Sequence, residues 1–212
     1  MILAASLVLA VSWAIQEEPP SKPQEEAKPE PVQEPLPVEL AAEVWSIGFR
    51  AGAWTHAAFE ASTALGRREI EKETLAEVGL NAGYRSGPWF ARLSLDLAGT
   101  EDVAVVLGGF HVGLAEPLPV EDLVGVPVLA GLSAGLIGGR LEVDEPGFGD
   151  FEPGWGFQAE LELSALLSEG VQVSLWLAYR SIEFEFKEDI QSGDSEAVGS
   201  SFALGGALSL RF

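Results

Sequence analysis

The 212-residue sequence contains no cysteine, only 12 basic side chains against 33 acidic ones, and two histidines. Without cysteine there are no disulfides, no thiolate zinc sites and no lipidated amino-terminal cysteine; export is compatible with this but not demanded by it. The shortage of Lys and Arg makes nucleic acid an unsuitable partner, because phosphate binding needs clustered cations. Gly is frequent, at 24 residues, but follows no three-residue period, which excludes collagen. A formal charge of −21 would suit a disordered chain, yet 47% of the residues are hydrophobic and the mean hydropathy is +0.20. A chain of this length can bury the core of one barrel or sandwich and still carry an appendage.

The first stretch, MILAASLVLAVSWAIQ, has an apolar run too short to span a bilayer, followed by the small-x-small pattern Ser12-Trp13-Ala14. It reads as a secretory signal peptide over residues 1–15, lacking the usual basic start. Residues 16–43 are dominated by Pro and Glu and carry no aromatic residue. Such a segment buries too little surface to offset chain entropy, and its prolines and mutually repelling carboxylates make it a semi-rigid periplasmic linker.

From residue 44 onward the period becomes two, which is a strand signal. Trp45, Ile47, Phe49 and Ala51 oppose Ser46, Gly48, Arg50 and Gly52. Likewise Leu93, Leu95 and Leu97 oppose Ser94 and Asp96, and Leu161 and Leu163 oppose Glu160 and Glu162. Eight such segments are predicted, at about 44–55, 73–85, 88–99, 102–115, 127–143, 154–167, 171–187 and 197–212. The fourth and fifth are apolar or small on both faces, which suggests a phase-shifting bulge. Ser86-Gly87 and Ser168-Glu169-Gly170 read as tight turns, and 56–72, 116–126, 144–153 and 188–196 as longer loops.

Alternation alone does not decide which face is wet. A lipocalin-like barrel turns its apolar face inward around a ligand, whereas an outer-membrane barrel turns it toward lipid. The polar face here is mostly Gly, Ala and Ser with isolated charges, and no Lys falls in a predicted strand core. Small residues with a few opposite charges suit the crowded lumen of eight strands, in which Arg50, Arg85, Arg92, Arg180 and Arg211 must pair with Glu77, Asp96, Glu160 and Glu162. Threaded up and down from the amino end, Trp45, Tyr84, Trp89 and Phe212 fall at the lower rim, and Trp155, Phe157, Tyr179 and Phe202 at the upper. Two aromatic girdles are what a bilayer's interfaces select. Trp54 and Trp176 are out of phase with these girdles, so each faces the lumen or lies beyond the lipid.

The chain closes on SFALGGALSLRF, with Phe202, Leu204, Leu208, Leu210 and Phe212 on one face. This resembles the last strand of bacterial outer-membrane proteins, and residues 44–212 together resemble small eight-stranded barrels such as the OmpA transmembrane domain and OmpX. The glycine usual five residues before the end is replaced by Ala207, preceded by Gly205 and Gly206. The resemblance implies an all-β, antiparallel, up-and-down transmembrane β-barrel in the cell outer membrane. It also implies that Phe212, Leu210 and Leu208 form the signal read by the outer-membrane assembly machinery.

No catalytic constellation emerges. His56 tops the first strand, whereas His111 lies roughly 20 Å down a tilted strand, so the two share no site. His111 reads as a hydrogen-bonding lumen residue. The acidic segments DEPGFGD (Asp144, Glu145, Asp150) and EDIQSGDSE (Glu188, Asp189, Asp194, Glu196) match no EF-hand spacing. No metal or cofactor is expected. Three functional readings follow: a barrel with a structural or surface-interaction role, its surface partner unspecified; a narrow channel for small or hydrophobic solutes, left open by Gly48, Gly52, Gly79, Gly83 and Gly205; or a soluble lipocalin-like binder.

Overall fold

The computed structural model describes residues 43–63, 66–144, 151–185 and 196–212, and at 56, 59–63, 66–73, 196 and 197 the backbone alone. The signal peptide and nearly all of the Pro/Glu segment lie outside the described residues. Eight strands, β1 (Glu43–Thr63), β2 (Gly66–Ser86), β3 (Trp89–Gly99), β4 (Val103–Leu118), β5 (Val128–Val143), β6 (Gly154–Ser168), β7 (Val171–Glu185) and β8 (Glu196–Arg211), pair in sequence order. Every pairing is antiparallel, and β1 also pairs with β8, from Ser46↔Arg211 to Ser62↔Glu196, closing the barrel. Closure leaves no sheet edge where all eight strands meet, which lipid requires because it offers no partner to an unpaired peptide group.

The turns follow their residues. Between β2 and β3 Gly87 adopts φ 57°, a conformation that a side chain disfavours. Between β4 and β5 a single helical turn, α1 (Glu121–Val124), ends at Gly125, whose N–H donates to the Glu121 carbonyl at 2.7 Å.

Two sequence expectations are corrected here. The segment 56–72 is not a loop: β1 and β2 continue as a ladder to Thr63↔Gly66, bringing Lys72 into a strand. Its charges mask the period of two, but backbone pairing does not depend on alternation. The bulge expected in β4 and β5 is also missing, since their register runs unbroken from Val103↔Val143 to Leu118↔Val128. Register shifts lie instead between Thr55 and Ala58 in the β1–β8 ladder and between Leu166 and Ser168 in the β6–β7 ladder.

The large apolar side chains of the alternating faces point outward. Leu93, Leu95 and Leu97 of β3 are 60%, 51% and 49% exposed, and Phe202, Leu204, Leu208 and Leu210 of β8 are similarly open. A continuous exterior of this kind is stable against lipid, not water. The lipocalin-like alternative, with apolar faces turned inward, is thereby overturned. Rings meet at both ends of this belt: Trp45 packs on Tyr84 with centroids 4.8 Å apart, and Tyr179 lies 5.8 Å from Phe157 and 5.3 Å from Phe202.

Candidate functional site: the barrel interior

Inward-facing residues form three layers, whose heights are set by the strand register. The middle layer is ionic. Arg180 grips Glu77 with both terminal nitrogens, at 2.8 and 2.9 Å, while its Nε donates to Gln158 Oε1 at 2.7 Å. Arg50 donates to Glu160 at 3.0 Å and Arg92 to the other oxygen of Glu160 at 2.6 Å. The second terminal nitrogen of Arg92 reaches Glu162 at 2.5 Å. Asp96 sits between Arg50 (3.5 Å) and Arg180 (3.8 Å). Arg50, Glu77, Asp96, Glu160 and Arg180 are each at most 3% exposed. Burial of so many charges is tolerable only because each faces an opposite one.

Tryptophans complete this layer. The guanidinium of Arg50 lies 3.9 Å from the Trp176 ring centroid, and that of Arg180 lies 4.9 Å from Trp54. Trp54 Nε1 donates to Glu77 at 2.6 Å. Both out-of-phase tryptophans therefore face the lumen. Gly52 and Gly205 make room for Trp176: a Cβ on either would come 2.7 or 2.6 Å from its Cζ2. Gly79 similarly accommodates Asp96. At these positions glycine leaves no passage, because neighbouring side chains occupy the space.

The upper layer is an apolar plug. Val103, Val105 and Leu107 of β4 meet Ile137 and Leu141 of β5 and Ile182 and Phe184 of β7, all buried. Phe151, from the connection before β6, caps it with its ring edge toward Phe184 at 6.4 Å. The poor alternation of β4 and β5 thus has a physical cause: one apolar face meets lipid and the other fills the plug.

The lower layer is open. A cavity of about 80 Å³ is bounded by Arg85, Arg92, Arg211, Asn81, Ser46 and Ser209, among others. It has room for several waters, at roughly 10–15 Å³ each. On its far wall Glu162 accepts a hydrogen bond from Ser164 at 2.7 Å, and Gln172 donates to Ser164 at 3.0 Å.

All nine charged residues singled out from the sequence line the interior, but only seven are brought together. No carboxylate pairs with Arg85 or Arg211 among the described residues; Arg211 instead faces Arg85 as a like charge. The expectation that every lumen Arg is paired is corrected: both line the lower cavity, where Glu162 is already held by Arg92 and Ser164. Phe212 is at the lower rim, with Leu210 and Leu208 outward beside it. His111 is buried, with Nε2 3.4 Å from Ser94 Oγ and Nδ1 without a hydrogen-bond partner among the described residues. The side chain of His56 lies outside the described residues, as do Glu145, Asp150, Glu188, Asp189 and Asp194. Gln158 was placed on the inward face from sequence, whereas Ser164, Gln172 and the plug were not singled out. Their signal was present, as polar residues in phase with Glu160 and as a second apolar face on β4.

No family model matches the chain, and no curated protein matches it. Similar solved structures exist. Outer membrane protein OprG from Pseudomonas aeruginosa is 10% identical, with TM-score 0.54, covering 81% of this chain and 96% of its own. Neisserial surface protein A is 15% identical at TM-score 0.49 (81% and 98%), and the Yersinia pestis attachment invasion locus protein Ail is 13% identical at 0.32 (80% and 98%). With the apolar exterior and the closed register of eight strands, the match to OprG settles the architecture: the chain has the fold of the small eight-stranded outer-membrane β-barrels.

Proposed function

We propose that the protein resides in the bacterial outer membrane in a structural or surface-interaction role, with a lumen closed to solutes and no catalytic activity. The filled lumen carries this reading. A solute rising from the lower cavity meets the layer of Arg50, Glu77, Glu160 and Arg180, then the apolar plug capped by Phe151. A surface role draws support from the β1–β2 hairpin. Its ladder continues to Thr63↔Gly66, whereas pairing of β2 with β3 stops at Ala76↔Gly99. The backbone of the hairpin therefore continues beyond β3, on the rim opposite the start of β1 and the end of β8.

Conductance in planar bilayers tests the closed lumen. Purified protein should give no discrete current steps, and reproducible steps across preparations would favour the narrow channel.

In the same reading Phe212, with Leu210 and Leu208, is the tag that the assembly machinery recognises. Its N–H and C=O both bond to Trp45 at 3.0 Å, and its ring is 76% exposed. Deleting it forfeits at most about 2 kcal/mol of apolar transfer, too little to unfold the barrel. The deletion should reduce inserted protein in cells while refolding into detergent proceeds. Insertion at parental levels would refute the tag.

A further inference from the structure

We propose that the lower cavity is an anion site in which Arg85 and Arg211 bind a phosphate-type oxyanion, free or on a lipid headgroup. Arg85 is only 9% exposed, and its Nε and Nη2 are buried and have no hydrogen-bond partner among the described residues. Orphaned donors of this kind are costly inside a protein, the more so on a guanidinium that cannot shed its charge. Arg211 lines the same cavity and adds a second like charge. The ionic layer above cannot neutralise them: its single excess carboxylate, four against the three guanidiniums of Arg50, Arg92 and Arg180, is already engaged within that layer. Glu162, the acidic residue on the cavity wall, is held by Arg92 and Ser164.

The cavity therefore joins two uncompensated planar cations to the neutral hydrogen-bonding groups of Ser46, Asn81 and Ser209. Several converging donors around a space of about 80 Å³ suit a compact oxyanion with several oxygens. An apolar solute would leave these donors unpaired, and a cation would be repelled.

The test uses the full chain refolded in phosphatidylcholine nanodiscs, with inorganic phosphate as the probe and chloride at equal ionic strength as the reference. Phosphate should raise the urea midpoint of the parent above that in chloride. Arg85→Gln should weaken phosphate binding roughly tenfold or more, and Arg211→Gln should weaken it less. Arg140→Gln, an exposed arginine at the other end of the barrel, should leave it unchanged. Because Arg85 Nε and Nη2 have no bond to lose, Arg85→Gln should fold and be at least as stable as the parent in chloride. Repeating the titration in nanodiscs containing phosphatidylglycerol separates the sources. A phosphate effect undiminished there identifies the free ion, and one already saturated identifies the headgroup. Equal midpoints of the parent in phosphate and chloride, in phosphatidylcholine, would overturn the proposal. So would a phosphate effect that survives Arg85→Gln.

Discussion

Glu160→Ala should destabilise the barrel by about 3 kcal/mol, the lower end of the range for breaking a buried ion pair. Glu160 joins two cations, accepting from Arg50 at 3.0 Å and Arg92 at 2.6 Å, and takes a third bond from Gln158 at 2.9 Å. Its removal leaves charge in a layer that water reaches poorly. The loss should not exceed that lower end, because Arg92 retains Glu162 at 2.5 Å and Arg50 retains Asp96 at 3.5 Å. Glu160→Gln, which keeps an acceptor oxygen but not the charge, should fall between parent and alanine. Glu101→Ala, in an exposed turn, should change stability by no more than about 0.5 kcal/mol. Urea unfolding of protein refolded in lipid vesicles measures all three. Equal losses at 160 and 101 would mean that the interior is wet.

Leu95→Arg probes the opposite face and should cost about 2–4 kcal/mol in vesicles. Leu95 pairs with Leu80 of β2 and Gly108 of β4 near the middle of the belt, and points outward. A guanidinium there must thin the bilayer or stretch toward an interface. Leu167→Arg, outward at the lower end of β6, sits where a charge reaches the interface and should cost only about 0–1 kcal/mol. The difference between these sites is diagnostic, because on a water-exposed exterior both substitutions would be nearly neutral.

Much of the architecture was legible because a barrel wall obeys one local rule. Side chains alternate, so Leu93, Leu95 and Leu97 could be placed opposite Ser94 and Asp96 without knowledge of any contact. The rule fails where both faces have the same polarity. In β4 the residues Val103, Val105 and Leu107 fill a plug while Val106, Phe110 and Val112 face lipid, which mimics a lost phase. It also fails where charges obscure it, as in the continuation of β1 and β2. Partner choice among the interior charges was less legible still. Alternation sorts Arg85 and Arg180 onto the same side of the wall, but only register sets their heights. Arg180 meets Glu77 across the lumen, whereas Arg85, near the turn into β3, meets no carboxylate among the described residues. Trp176 illustrates the same limit, since its place depends on Gly52 of β1, far away in sequence, as well as on Gly205 of the neighbouring β8.

The absence of cysteine gives a clean background for the most direct test of the central claim, that the alternating apolar face of this barrel meets lipid. Single cysteines at Leu93, Ser94, Leu95, Asp96 and Leu97 can each carry a nitroxide spin label in protein refolded in vesicles. Power saturation then compares collisions with oxygen, which concentrates in the bilayer core, against those with a water-soluble nickel chelate. Labels at 93, 95 and 97 should collide strongly with oxygen and hardly at all with nickel, and the label at 94 should be shielded from both. Strong nickel collisions at 93, 95 and 97 would place that face in water and contradict the account.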